Sequence, residues 1–299
     1  MIAVNDMKIG FIGSGKVGAG LGAYFAARGC RVAGYSGGGG AARQVAARHC
    51  AALTASAVFD SDEALANGCD LIFITVPDGQ IAEVWRGLER CDLAGKIVCH
   101  ASGCLSSGVF GGAAARGVCA CSAHPMCAFP DRSGRVPGLD SAYFTVEGGG
   151  DRIKEFLTSL GNKALAVPAE KKALYHAANT AASNLVLALL YLADDCLRQS
   201  GISGEDALRA ITPLILGNAR NICENGFAAS LTGPVERNDL ATVKRHLDAL
   251  PAEYGGVYAR LSLILTRLAA AKHGERDGGE LRRMLRGYAE GAGEKEFFS

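Results

Sequence analysis

The amino-acid sequence predicts an α/β protein, a doubly wound parallel sheet followed by an all-α domain, on three observations. Residues 7–12 (MKIGFI) are a short run of β formers ending in a glycine turn; the helical LGAYFAARG and the strand-like residues 31–35 (RVAGY) follow, a strand–turn–helix–strand unit of about thirty residues. Strand-like runs then keep alternating with helical ones as far as Val146. After about Pro168 they stop, and the remaining periodic stretches have helical spacing.

The elements follow in order. The first helix closes at Gly29, where a residue without a Cβ ends helices readily. Residues 37–40 (GGGG) form a flexible loop and residues 41–49 a short helix. Residues 70–76 (DLIFITV) are almost continuously apolar, as a strand must be when helices cover both faces of a parallel sheet. Residues 96–100 (KIVCH), 117–122 (GVCACS) and 142–146 (AYFTV) continue the strand series. Beyond Pro168, residues 169–200, 204–225, 237–250 and 254–273 are helical, punctuated by Gly201, Gly226 and Pro251. The tail EGAGEKEFFS is expected to be loosely held. The domain boundary is therefore expected at 168, giving domains 1–168 and 169–299.

Composition excludes several classes. Lys and Arg number 31 and Asp and Glu 30 in 299 residues, a formal charge of +1, so there is no field for nucleic acid or an anionic membrane. Eleven cysteines with no CxxC pair argue against a disulfide framework or a zinc ribbon. Reduced thiols in a cytoplasmic protein fit better, and no metal site is expected. The N-terminus lacks the basic and apolar segments of a signal peptide. The longest apolar run, residues 177–193, is interrupted by Asn179, Ser183 and Asn184; it is too polar to span a bilayer and reads as a buried helix. Residues 185–192 are hydrophobic on every side, which suggests a homodimer built by the C-terminal helices.

Gly13-Ser14-Gly15-Lys16-Val17-Gly18 matches G-x-G-x-x-G where a strand hands over to a helix, the context in which the pattern signifies a dinucleotide site. Gly13 permits the tight turn, Gly15 lets backbone N–H groups approach a pyrophosphate, and Gly18 lets the helix pack close to the strand. The helix N-terminus adds partial positive charge. The first domain is thus a Rossmann-type fold. Enzymes that use NAD place an acidic residue at the end of the second strand; here Ser36 stands, flanked by Tyr35 and Gly37. With no carboxylate there to repel a 2′-phosphate, and with Arg43 able to reach it from the next helix, the expected cofactor is NADP(H) rather than NAD(H). The strand-end segments Thr75-Val76-Pro77-Asp78 and His100-Ala101-Ser102-Gly103 are expected to border the nicotinamide half, Val76 and Pro77 touching cofactor, Ser102 near the chemistry and Asp78 capping the following helix.

Candidate chemistry lies in two places. His124, before Pro125 and Met126, follows a strand and can serve as acid, base or hydrogen-bond donor near neutral pH, or cap a turn. Lys172, His176 and Asn179 fall at i, i+4 and i+7 on one helix face, extended by Ser183 and Asn184; they line a substrate cleft or bond between helices. His124 and His176 are expected to approach the nicotinamide from opposite domains, separated by roughly 5–10 Å, enough for a small molecule. In residues 231–239 (LTGPVERND), Thr232, Arg237 and Asp239 could face the cleft, Arg237 suiting a carboxylate or phosphate, or Asp239 could simply cap the next helix.

The pieces GFIGSGKVG, TVPDGQI, HASG, AHPMCAFPD, YHAANTAASN and LTGPVERND, in that order over roughly residues 9–250, resemble a family of NADP-dependent oxidoreductases with a Rossmann-like N-domain and a C-terminal domain of unknown function, 2520. The resemblance implies a fold similar to pyrroline-5-carboxylate reductase, ketopantoate reductase and 6-phosphogluconate dehydrogenase, and a dimer built by C-terminal helices. His124-Pro125-Met126 also resembles a segment of prephenate dehydrogenases in which the histidine is catalytic, and Lys172 with Asn179 loosely resembles the lysine and asparagine of β-hydroxyacid dehydrogenases. Three functional readings follow: a reductase or dehydrogenase of a small C=O or C=N substrate, a prephenate- or arogenate-type dehydrogenase, and a dinucleotide-binding sensor or assembly protein without turnover.

Overall fold

A computed structural model describes residues 6–37, 39–274 and 278–291; most of the expected loose tail, and Gly38 of the glycine loop, fall outside them. The strands are β1 (Ile9–Ile12), β2 (Val32–Ser36), β3 (Ala57–Phe59), β4 (Leu71–Ile74), β5 (Ile97–His100), β6 (Cys119–Pro125), β7 (Tyr143–Gly148) and β8 (Lys163–Ala166). They form one sheet in the order β3-β2-β1-β4-β5-β6-β7-β8. All neighbours are parallel except β6 and β7, which run antiparallel. The strand order reverses between β1 and β4, the switch point at which doubly wound sheets open a crevice beyond the carboxyl ends of their strands.

The helices of this part are α1 (Lys16–Ala27), α2 (Ala41–Thr54), α3 (Asp62–Gly68), α4 (Asp78–Gly87), α5 (Gly150–Ser159) and α6 (Lys172–Ala182). The core on one sheet face is an aromatic stack: Phe11 lies 5.1 Å from Tyr35 and 5.6 Å from Phe73, and Phe25 of α1 lies 5.5 Å from Phe73 and 5.2 Å from Phe156 of α5. These rings are fully buried or nearly so, and each contributes about 1.5–3 kcal/mol of transfer free energy. Helix α1 packs tightly on the sheet because it carries glycines at Gly18 and Gly22: a methyl at Gly22 would strike the Tyr35 hydroxyl, and one at Gly18 the carbonyl of Gly13.

The chain divides into two compact units, Met1–Ser183 and Asn184–Ser299. The first extends past the expected boundary at 168 because α6 belongs to it: Lys172 is buried there against β5 and β6. The single helix expected over 169–200 is in fact broken at Ser183, whose backbone leaves the helical region, into α6 and α7 (Asn184–Gln199). These have 11 and 16 residues, although by length and composition alone the stretch Ala169–Gln199 is long and apolar enough to cross a membrane.

The second unit holds α7, α8 (Gly204–Ser230, interrupted at Gly226), α9 (Leu240–Ala249), α10 (Ala252–His273) and α11 (Gly279–Gly291). Its core joins α9, α10 and α11 through Val243, Leu247, Ala259, Leu281 and Leu285. The expectation that 177–193 is a buried helix is corrected here. Among the described residues of α7 none is buried, and Leu187 and Tyr191 are 68% and 70% exposed.

Candidate functional site

The carboxyl ends of the strands form one row. Cross-strand register aligns Ser36 with Ile12, Ile12 with Ile74, Ile74 with His100, and His100 with Ser122. The glycine turn, Thr75, Ala101 and His124 therefore emerge along one sheet edge; β1 and β6 are three spacings apart, about 14 Å.

The turn after β1 is held from both sides. Thr75 Oγ1 donates to the Gly13 carbonyl at 2.7 Å, and Gly13 N donates to the Ser36 carbonyl at 3.3 Å. Gly13 has φ +108°, and a Cβ there would lie 2.8 Å from the backbone of Thr75 and Val76, so no other residue fits. Gly15 differs: a Cβ would meet nothing nearer than 4.0 Å, so its backbone faces open space. Helix α1 starts at Lys16 with no side-chain cap and no acidic residue in its first turn, leaving its first N–H groups to an outside acceptor. The Ser14 hydroxyl is buried with no partner among the described residues, and Lys16 is exposed beside it. Orphan N–H donors, an orphan hydroxyl and an open approach are what a dinucleotide pyrophosphate requires. Val17 is half-buried in α1, and Val76 and Pro77 lead from β4 into α4.

Two expectations near this turn need correction. Ser36 is fully buried and its hydroxyl donates to Asp62 of α3 at 2.5 Å. A carboxylate thus does stand at the end of β2, delivered from 26 residues downstream, and the Ser36 hydroxyl is not offered outward. Asp78 is not the cap of α4: Pro77 occupies that position, and Asp78 accepts instead from the Ser102 hydroxyl at 2.6 Å.

That bond orders the turn after β5. Ser102 Oγ also accepts from the backbone N–H of Cys104 and Leu105, at 3.2 and 3.0 Å. His100, fully buried, accepts the Ser102 N–H on Nδ1 and reaches the Ser106 carbonyl through Nε2. Ser102 is therefore a framework residue whose hydroxyl is committed, not a group free to touch a ligand.

The second half of the site is where β6 meets α6. Residues 122 and 124 of a strand share a face, as do residues 172, 175 and 176 of a helix. Lys172 is 1% exposed; its ammonium donates to the Ser102 carbonyl at 2.9 Å and to Ser122 Oγ at 2.6 Å, and Ser122 passes a hydrogen bond on to the Ser102 carbonyl at 3.2 Å. Burial pulls its pKa below the usual lysine value, and the neighbouring Glu147 partly offsets the pull. Lys172, expected in the cleft, lies beneath it. Asn179 spends one amide hydrogen on the Tyr175 carbonyl of its own helix, at 2.9 Å.

His124 and His176 come together over Gly103. Their ring centroids are 5.9 Å apart with the planes nearly perpendicular. A methyl at Gly103 would collide with His176 Nδ1 and lie 3.0 Å from His124 Nε2. His176 Nδ1 is buried with no partner among the described residues. His124 Nδ1 is bonded to the Tyr175 hydroxyl at 2.7 Å. Burial, then the charge of Lys172, then His176 push the His124 pKa down to about 4. Both histidines sit in the first unit, His124 within β6, rather than approaching from two domains. Tyr175 was not singled out from sequence, although it stands at i+3 from Lys172. Of the other candidates, Asp239 caps α9 by accepting from Thr242 N at 3.0 Å, while Thr232 and Arg237 are exposed.

Comparison with known proteins agrees with the fold. Residues 2–125 match a Rossmann-like domain, and residues 142–264 match a domain of unknown function, DUF2520. No curated protein matches the chain. Among solved structures, a Thermotoga maritima protein is 27% identical, with 95% of this chain and 98% of that one covered and a TM-score of 0.64. A Bacteroides fragilis protein, provisionally named an NADP oxidoreductase, is 20% identical, with 91% and 100% covered and a TM-score of 0.65. Pyrroline carboxylate reductase of Plasmodium falciparum, solved with NADP bound, is 15% identical, with 96% of each chain covered and a TM-score of 0.55.

Acid sensitivity follows from His124. Its folded pKa, about 4, is below the ordinary 6.5, so the unfolded chain binds the extra proton between those values. The neutral imidazole contributes stability that is fully present above pH 6.5 and is lost as pH falls toward 4, up to about 3 kcal/mol. Denaturant titrations from pH 7 to 4 should show this loss in the native protein and a flatter profile in His124→Gln; identical profiles would show that His124 does not titrate this way.

Proposed function

On the premise of a Rossmann-like domain followed by a DUF2520 domain, we propose that the chain is an NADP(H)-dependent oxidoreductase. It transfers a hydride to or from a small substrate bearing a C=O or C=N group. The observation that carries the reading is the shared sheet edge. The glycine turn with its orphan Ser14 hydroxyl lies on the same edge as the two imidazoles that converge over Gly103. A nucleotide-binding sensor would need the first feature but not the second.

When bound, the nicotinamide cofactor supplies the hydride. The residues have separate tasks. Gly13, Gly15, Gly18, Ser14 and the first N–H groups of α1 receive the pyrophosphate, with Lys16, Val17, Val76 and Pro77 beside it. Thr75 keeps the turn closed. His124 and His176 hold the polar atom of the substrate, and Asn179 sits one turn beyond His176 on the same helix. Lys172, buried under them, supplies positive charge that favours a developing negative oxygen or nitrogen. Eleven free thiols suit the reducing cytoplasm.

NADP(H) is the preferred cofactor in this reading, as in the Plasmodium falciparum reductase solved with NADP bound. The candidate partner of the 2′-phosphate is Arg43 of α2, whose only described bond is a long one, 3.4 Å to Gln80. Calorimetric titration should find NADPH bound more tightly than NADH, and Arg43→Ala should weaken NADPH about tenfold, ~1.4 kcal/mol, without changing NADH. NADH bound as tightly as NADPH would overturn the preference. With carbonyl and imine compounds screened by NADPH absorbance, His176→Ala should keep cofactor affinity and lose turnover; unchanged turnover would remove His176 from the site.

The reading includes a homodimer built by the C-terminal helices. Leu185, Leu187 and Tyr191 of α7 and Leu214, Leu216 and Phe227 of α8 are between 58% and 70% exposed, a density of large apolar side chains that monomer surfaces rarely carry. Light scattering at micromolar concentration should give twice the 30.9 kDa chain mass, and Leu187→Glu with Tyr191→Glu should return it to one. A native protein that scatters as a monomer would refute this.

A further inference from the structure

We propose that Tyr175 is a positioning residue that fixes His124 as the tautomer carrying its proton on Nε2. His124 then offers a neutral hydrogen-bond donor on Nε2. The argument begins with the pair itself. Tyr175 Oη and His124 Nδ1 are 2.7 Å apart, and either atom could donate. An imidazole nitrogen is a far stronger acceptor than a phenolic oxygen, and a phenolic O–H a stronger donor than a neutral imidazole N–H. The hydroxyl therefore donates to Nδ1, and the ring's one proton resides on Nε2. Thr145, opposite His124 on β7, donates its own hydroxyl to the His124 carbonyl at 3.5 Å and so ties the backbone that carries the ring.

The surroundings keep the ring neutral. The charged groups that act on it are Lys172 and Asp78, with His176 alongside; Lys172 opposes a second proton, and Asp78 is the weakest influence. Tyr175 and His124 are each partly buried and their rings meet edge to face at 5.6 Å, so the tyrosine fixes the ring's orientation as well as its proton. His124 Nε2 and His176 Nδ1 both close on Gly103, whose lack of a Cβ lets them approach, and His176 Nδ1 has no partner among the described residues. A ligand atom that meets His124 Nε2–H is an acceptor toward His124. A carbonyl oxygen or an unprotonated imine nitrogen meets that condition; a protonated amine does not. This statement about the ligand rests on the proposed hydride chemistry, whereas the tautomer does not.

The test uses full-length protein labelled with nitrogen-15 at histidine, at pH 7.5, with neither cofactor nor substrate. Long-range nitrogen–proton spectra distinguish the tautomers, and His124→Gln identifies the His124 signals. The native protein should show Nε2 protonated and Nδ1 bare. Tyr175→Phe should move His124 to a tautomer mixture, with at least a tenth of the population protonated on Nδ1, while the thermal transition and NADPH affinity stay in place. A purely structural tyrosine would not move this readout. Native His124 protonated on Nδ1, or an unchanged spectrum in Tyr175→Phe, would overturn the proposal. If Tyr175→Phe does not fold, the native spectrum alone decides. Because no substrate enters, failure here leaves the hydride reading standing, and failure of that reading leaves the tautomer result intact.

Discussion

One buried ammonium organises the chemistry of this molecule. Lys172 reaches from α6 to the Ser102 carbonyl after β5 and to Ser122 on β6, tying a helix, a turn and a strand to a single charge. Leaving an ammonium out of water costs several kcal/mol unless its protons are satisfied, and charge-assisted bonds return roughly 1.5–3 kcal/mol each. The three elements are therefore held at separations set by hydrogen-bond lengths rather than by looser apolar packing. Tyr175 and His176 are three and four residues further along the same helix, so the geometry that seats Lys172 also sets them against His124. A change that moved Lys172 would move both imidazoles.

The same economy shows in the turn beneath. Ser102 accepts two backbone N–H groups and donates to Asp78, while His100 accepts the Ser102 N–H. Glu147 fixes the next stretch by accepting from Ser107 at both its backbone N–H and its hydroxyl. Polar side chains that look catalytic in a sequence are here spent on holding a loop so that Gly103 lets both imidazoles pack against its backbone. Of the five buried side-chain atoms without a partner among the described residues, Ser14 Oγ and His176 Nδ1 belong to the candidate site, and a buried polar atom without a bond is costly unless something else completes it.

Local chemistry made much of the fold legible. The strand, glycine turn and helix of residues 9–27 follow from residue types within one short segment, and the apolar run ending at Ile74 could only be an interior strand. What escaped depends on distance along the chain. β8 is a short edge strand with the sequence KALA, which carries no β signature, and β7 runs antiparallel to β6 through pairing that spacing does not reveal. The break at Ser183 is a backbone event inside a helical pattern. Asp62 meets Ser36 across 26 residues, which defeated an argument made from the neighbours of Ser36 alone. In the site, periodicity placed Lys172 and His176 on one face but could not tell which is buried; that depends on β6 presenting Ser122 and His124 to the same helix. Tyr175 drew no reading from the sequence and became visible only as the partner of His124.

The central claim is that His124 and His176 form one site with the cofactor bound along the same sheet edge. Titrating NADP⁺ into protein labelled with nitrogen-15 at its six histidines tests it most directly. The account predicts that the ring signals of His124 and His176 shift in step with cofactor occupancy, while His49, held by the Arg132 carbonyl on the outer surface, stays in place. Full occupancy with His124 and His176 unmoved would contradict it.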